Sequence, residues 1–296
     1  MSRVVLPRGP GSYRWYYVDA TDGQHTAVAI FMVGSLFSSR YAAAWKHGAE
    51  PTQHAAVNFA LYRGSERLCW VLSEYSSAQV TESGTGLTIG GSSLHYPRHG
   101  ELELQIRDHT ARWARPIEAS VKLEQLGPGH APLRLIEGLG HFWHPIAPHA
   151  RAHVSVPSFG LELEARAYHD GNFGPVPLGS DLRGWDWERS REGDCTTIAY
   201  RPWHDGAAAL TVTASSASIV SSRHSDASGP RERTAWGLSV PLLDGPHQLL
   251  ESSPFYARRQ AQRGERHALG EVADFARFHS PWVRWMASLR TRVHAA

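Results

Sequence analysis

Apolar and polar residues alternate with a period of two along much of the chain, the pattern of strands with one buried face. Leu102, Leu104 and Ile106 alternate with Glu101, Glu103, Gln105 and Arg107. Val121 and Leu123 flank Lys122, and Val154 and Val156 follow His153 and Ser155. Leu161, Leu163, Ala165 and Ala167 alternate with Glu162, Glu164, Arg166 and Tyr168, and Leu210 leads into Thr211, Val212 and Thr213. Gly84-Thr85-Gly86, Gly90-Gly91 and Gly127-Pro128-Gly129 read as turns. Many short strands with frequent turns predict an all-β sandwich or barrel. Helical signals are few. Residues 41–46 read as one short helix, and Ser280-Pro281 as the cap and first residue of a C-terminal one. Trp282, Trp285, Met286, Leu289 and Val293 would form its apolar stripe. That stripe either packs on a barrel end or, since Trp and Arg suit a lipid–water boundary, touches a membrane surface. Glycine and proline concentrate over residues 127–140. This predicts two β domains, 1–138 and 139–296, with a ligand site at or near their interface.

Composition narrows the function. The 296 residues suit one large or two ordinary domains. A formal net charge of +2 gives no reason to expect a nucleic-acid partner. No window approaches the roughly 20 apolar residues of a membrane span. Residues 27–37 come nearest but contain Gly34 and Ser35. No secretory signal follows Met1, which predicts a cytoplasmic protein. Cys69 and Cys195 are the only cysteines, too few for a disulfide framework. Nucleotide-binding glycine loops, a Ser-hydrolase elbow and the HExxH zinc motif are lacking. What stands out is 18 His and 11 Trp, partly in the same short stretches. Together they suggest a deep apolar pocket with a few polar groups.

Three stretches carry candidate chemistry. In His141-Phe142-Trp143-His144-Pro145, an extended chain turns His141 and Trp143 to one side. In Tyr168-His169-Asp170-Gly171-Asn172-Phe173-Gly174, Tyr168 and Asp170 share a face and His169 points away. Its glycines and Asn172 predict a bend with positive φ. In Gly184-Trp185-Asp186-Trp187, two indoles share a face opposite one carboxylate. An Asp in a Trp-lined pocket resists ionisation. A carboxylic acid kept protonated near neutral pH can donate to a substrate. A nearby indole face stabilises a developing cation. These parts suit protonation of an alkene and capture of the carbocation. A metal reading of His141, His144, His149 and His153 is disfavoured, because Pro145 and Pro148 break any helix that would align them.

At these residues the chain resembles the carotenoid 1,2-hydratases, also called hydroxyneurosporene synthases. The likeness runs through Gly11-Ser12-Tyr13-Arg14-Trp15-Tyr16-Tyr17-Val18-Asp19, Val33-Gly34-Ser35-Leu36-Phe37-Ser38 and Asn58-Phe59-Ala60-Leu61-Tyr62. It continues in His141-x-Trp143-x-Pro145-Ile146-Ala147-Pro148, Tyr168-x-Asp170-x-Asn172-x-Gly174 and Trp185-Asp186-Trp187. Ser253-Pro254-Phe255-Tyr256-Ala257-Arg258 and Phe278-x-Ser280-Pro281-Trp282-Val283 complete it. The chain departs at Gly171, where a bulkier or more polar residue is expected.

The resemblance implies two lipocalin-like β-barrel domains. It implies hydration of the terminal double bond of acyclic carotenoids such as neurosporene and lycopene, with no cofactor and no metal. The implied catalytic residues are His141, Trp143, Tyr168 and Asp170. Asp170 would donate the proton, Trp143 would face the cation, and His141 or Tyr168 would hold the water. Trp185, Trp187, Asn172 and Phe173 are the candidate substrate-binding residues. A substrate dissolved in a bilayer implies contact with the inner face of a membrane. Two alternatives stay open on the same scaffold. One is a cyclase or pericyclase acting on a terpenoid or polyketide. The other is a non-catalytic lipid- or pigment-binding protein.

Overall fold

The computed structural model describes residues 4–225 and 229–294. The fold is all-β and lipocalin-like: a large curled sheet faced by a second sheet, with few short helices. In the large sheet, Tyr13–Thr21 is the hinge of the topology. It pairs on one side with His25–Val33, which continues into Ala55–Arg63 and Glu66–Tyr75. On the other side it pairs with Leu161–Gly174, followed by Phe142–Val156, Pro116–Glu124 and Leu102–His109. The second sheet runs from Ile219–His224 through Ala209–Ala214, Cys195–Pro202, Gly184–Glu192 and Arg266–Asp274 to Tyr256–Arg263 and His247–Ser252.

The period-two strands form as the pattern predicts, with Leu102, Leu104 and Ile106 buried on one side of theirs. His25–Val33 behaves differently, since all nine of its residues are buried. This is the apolar run that came nearest to a membrane span. It is continuous because both faces are covered. Phe31 and Val33 enter the core inside the curl, and Ile30 and Met32 enter the layer between the sheets.

Three expectations need adjusting. Phe142–Val156 and Leu161–Gly174 follow residue 138 yet hydrogen-bond into the first sheet, and the change of sheet falls between Gly174 and Gly184. Glycine is required earlier, at Gly127 and Gly129, because these two residues lie close on other main chain. A Cβ on Gly127 would sit 2.7 Å from the Ser215 carbonyl oxygen. The predicted bend at Gly171 and Gly174 is absent, as both lie within the Leu161–Gly174 strand without positive φ. These glycines serve close approach instead. A Cβ at Gly171 would meet the Trp15 carbonyl oxygen at 2.7 Å, and one at Gly174 the His141 Nδ1 at 2.5 Å. The early helix is Ser39–Ala44, continued by a 3₁₀ turn at Trp45–His47.

The C-terminal helix, Pro281–Arg290, packs through Val283 and Ala287. Trp282, Trp285 and Leu289 of the expected stripe stand 53%, 65% and 66% exposed.

Polar bridges tie the two sheets across their shared layer. Asp19 and Arg189 form a fully buried, two-pronged ion pair, with Nη2 to Oδ1 at 2.5 Å and Nε to Oδ2 at 3.2 Å. Removing one partner of such a pair strands the other charge out of water, at a cost of about 3–5 kcal/mol. Arg189→Met should therefore lower the urea-unfolding free energy by that amount. A loss below about 1 kcal/mol would show that this bridge does not hold the sheets together.

Candidate active site

Residues paired across an antiparallel ladder face the same side. Tyr17 lies opposite Asp170, Trp15 opposite Asn172, and Asn172 opposite Trp143. Tyr168 and Asp170 are two apart on one strand. The ladder therefore gathers Trp15, Tyr17, Trp143, Tyr168, Asp170 and Asn172 on the face that looks at the second sheet. From that sheet Trp185, Trp187, Tyr200 and Glu271 look back. Between them lies a cavity lined by Asp170, Asn172, Trp185, Trp187, Tyr200 and Glu271 among others.

Asp170 is buried, and two neutral donors meet one of its oxygens. Trp143 Nε1 donates to Oδ2 over 2.7 Å and the Tyr168 hydroxyl over 2.6 Å. Burial pushes the Asp170 carboxyl up to about 7, against these two hydrogen bonds, which favour the anion. With both donors on Oδ2, the acid's proton belongs on Oδ1. The rings around Asp170 form two clusters. Trp187 lies 5.3 Å from Tyr168 and 5.5 Å from Tyr17, and Tyr200 lies 5.5 Å from Trp143 and 5.8 Å from Trp185. Trp15 Nε1 donates to Asn172 Oδ1 over 3.0 Å, and Asn172 Nδ2 to the Tyr200 hydroxyl over 3.3 Å.

The structure thus brings together Asp170, Trp143, Tyr168, Asn172, Trp185 and Trp187. His141 is placed apart. Its Nε2 lies 2.8 Å from Asp181 Oδ2 and its Nδ1 3.1 Å from the Tyr13 hydroxyl. Both ring nitrogens are engaged, and His141 is not on the wall of the cavity around Asp170. Burial lowers its pKa, with Asp181 opposing. Phe173 occupies the other face of its strand, stacked on Phe142 with Arg14 over its ring. Asp186, on the face opposite Trp185 and Trp187, is clasped by Arg231. The four histidines weighed as metal ligands take separate surroundings. His149 contacts Thr196 and Arg191, His153 joins Glu162 and Glu164, and burial pushes His144 down to about 4.

A second, mainly apolar cavity adjoins the first. Ile30, Met32, Phe37 and Tyr256 line both. Its far wall includes Met286, Ala287 and Arg290 of the C-terminal helix. Sequence reading missed Trp15, Tyr17, Tyr200, Tyr256 and Glu271 as wall residues. For Trp15 and Tyr17 the alternation of Tyr13, Trp15 and Tyr17 carried the signal. Glu271 had none locally, since its place depends on a ladder between distant strands.

Fold and site together define a lipocalin-like β protein built around a buried carboxylic acid in an aromatic cavity. Residues 29–295 match the carotenoid hydratase CrtC family, and the chain belongs to that family. It is 31% identical to the acyclic carotenoid 1,2-hydratase of Rubrivivax gelatinosus, over 91% of this chain and 69% of that one. It is 29% identical to the acyclic carotenoid 1,2-hydratase of Thiocapsa roseopersicina, over 97% of this chain and 75% of that one. Among solved structures, a protein provisionally assigned as AttH from Nitrosomonas europaea superposes with a TM-score of 0.58 at 13% identity. That match covers 89% of this chain and 93% of the other, and the likeness concerns the fold alone. The protein is accordingly an enzyme, a hydratase.

The Asp170 environment has a consequence for stability. Its folded value of about 7 lies above its ordinary value of 3.8, so the native state holds an extra proton between them. Stability should fall as pH rises from about 4 through 7 and level off above, by roughly 4 kcal/mol in full. Asp170→Asn keeps an acceptor for both donors and should remove this decline in urea-unfolding curves taken across that range. An unchanged slope would mean Asp170 ionises as freely as an exposed carboxylate.

Proposed function

We propose that the protein adds water across the terminal C1=C2 double bond of acyclic carotenoids such as neurosporene and lycopene. The observation that carries this reading is a carboxyl group buried without a cation beside it, in an aromatic cavity that continues into a second apolar one. Asp170 transfers its proton to C2, and a tertiary cation develops at C1. Tyr200 and the two indoles of the second sheet, which line the cavity, supply π-faces for that charge, while Trp143 donates its N–H to Asp170. Water then forms the C1–O bond and gives a tertiary alcohol. Tyr168 and Trp143 hold the carboxylate that is left, which favours proton release in the transition state. His141 acts at one remove, linking Tyr13, at the end of the same ladder, to Asp181 of the short helix that follows. No cofactor takes part in this scheme.

Cavity shape favours a long substrate over the cyclase alternative. A polyene end reaches Asp170 while the rest of the chain passes Ile30, Met32, Phe37 and Tyr256 toward the C-terminal helix. A compact terpenoid or polyketide needs no second chamber. The binding-only alternative leaves the poised acid without a purpose. We also retain the division into two lipocalin-like units, 1–138 and 139–296, with the site at or near their interface.

No helix among the described residues is long and apolar enough to cross a membrane. We place the protein in the cytoplasm, docked on the inner face of a lipid bilayer. Met286 and Ala287 line the outer chamber, while Trp282, Trp285 and Leu289 of the same helix face outward. Exposed indoles beside Arg284 and Arg290 suit a lipid–water boundary.

Purified protein given lycopene in ¹⁸O-labelled water should yield a labelled tertiary alcohol, and Asp170→Asn should lose at least about 1,000-fold in rate while staying folded. Near wild-type hydration by that variant would end the acid assignment. Replacing Trp282 and Trp285 together by Ser should weaken co-sedimentation with anionic phospholipid vesicles about 10-fold or more. Unaltered sedimentation would remove this helix as the contact.

A further inference from the structure

We propose that Glu271, facing Asp170 across the cavity, is the base that takes the proton from the attacking water. This rests on the reading of Asp170 as the acid and deepens it. Asp170 and Glu271 are the two carboxylates on the wall of this cavity, and they belong to opposite sheets. A substrate end placed between the sheets has one on either side.

Their surroundings are opposite in kind. Asp170 receives only neutral donors. Glu271 is ion-paired, with Arg258 Nε 2.8 Å from its Oε1. The Tyr17 hydroxyl donates to the same oxygen over 3.0 Å. Both bonds fall on Oε1, and the carboxylate lies on the cavity wall beside the Tyr256 ring. Tyr17 ties the two groups together, since it is the ladder partner of Asp170 and a hydrogen-bond donor to Glu271. One carboxylate meets only neutral donors and the other is paired with a guanidinium, so the two sides of the cavity differ in their hydrogen-bond partners. The other candidates for the base are already occupied. His141 has both nitrogens engaged and is off the wall, and Tyr168 donates to Asp170.

The step balances. Asp170 gives its proton to C2 and becomes a carboxylate, as the π bond of C1=C2 becomes the C2–H bond. The water oxygen bonds to C1, and one of its protons passes to Glu271. Glu271 then releases that proton to solvent, and Asp170 regains one from solvent. The sum is alkene plus water giving alcohol, with no change of oxidation state supplied from outside.

The test separates protonation from hydration. Full-length protein is incubated with lycopene in D₂O, and both the alcohol and the recovered lycopene are analysed by mass spectrometry. Glu271→Gln should lower alcohol formation at least about 100-fold. It should still place deuterium at C2 of recovered lycopene, because the cation forms and collapses by returning a proton to Asp170. Tyr17→Phe, which keeps both carboxylates, should lower alcohol formation more than exchange and serves if the first variant does not fold. Asp170→Asn should do neither reaction. Hydration by Glu271→Gln within a few-fold of wild type, or loss of hydration and exchange together in a folded variant, would overturn the role of Glu271. Hydration surviving in Asp170→Asn would instead overturn the acid assignment on which it stands.

Discussion

The site depends on the cost of ionising a carboxyl group away from water with no positive charge at hand. That cost sets the acid strength of Asp170. Desolvation drives its pKa up, and hydrogen bonds from Trp143 and Tyr168 pull it part of the way back. The outcome, about 7, leaves the group protonated in a useful fraction of molecules, yet not so weak that proton release is prohibitive. Stronger donors or a nearby arginine would make Asp170 a permanent anion. Loss of both donors would make it too poor an acid. Placing both donors on Oδ2 also settles which oxygen carries the proton.

The architecture protects that balance. Asp170 sits in the middle of a wide sheet, and Tyr13–Thr21 closes the ladder beside it. The second sheet then covers the face and brings four ring systems toward the cavity. One buried ion pair bridges the two sheets, and an Arg-centred cluster lies within the second sheet. Asp19 is matched with Arg189, and Arg258 is shared between Glu271 and Glu251, whose carboxylate also accepts from Tyr62. Arg189 lies 6.0 Å from the Tyr168 ring centroid, so one such pair also supports a donor to the acid.

Much of the fold was legible from local pattern, because strands with one buried face write their period into the chain. So was the heart of the site. Tyr168 and Asp170 sit two apart on one strand, and Trp185 and Trp187 on another, so each pair shares a face whatever the tertiary structure. Properties set by neighbours were not legible. His141 shares its strand face with Trp143, yet Tyr13 and Asp181 claim its nitrogens before the cavity is reached. Phe173 lies next to Asn172 in sequence and therefore on the other side of the sheet. Glycines over residues 127–140 looked like a linker, but Gly127 and Gly129 answer to main chain packed against them. The C-terminal helix shows the same limit. Its apolar residues outnumber what one face can bury, and only packing decides that Val283 and Ala287 go inward while Trp282 and Trp285 do not.

The most direct test of the account is the protonation state of Asp170 itself. Infrared difference spectra of wild type against Asp170→Asn, taken as a function of pH, isolate the C=O stretch of a protonated carboxylic acid. This band should persist through pH 6 and titrate with a midpoint near 7. A band already lost at about pH 4, the ordinary carboxylate range, would contradict it.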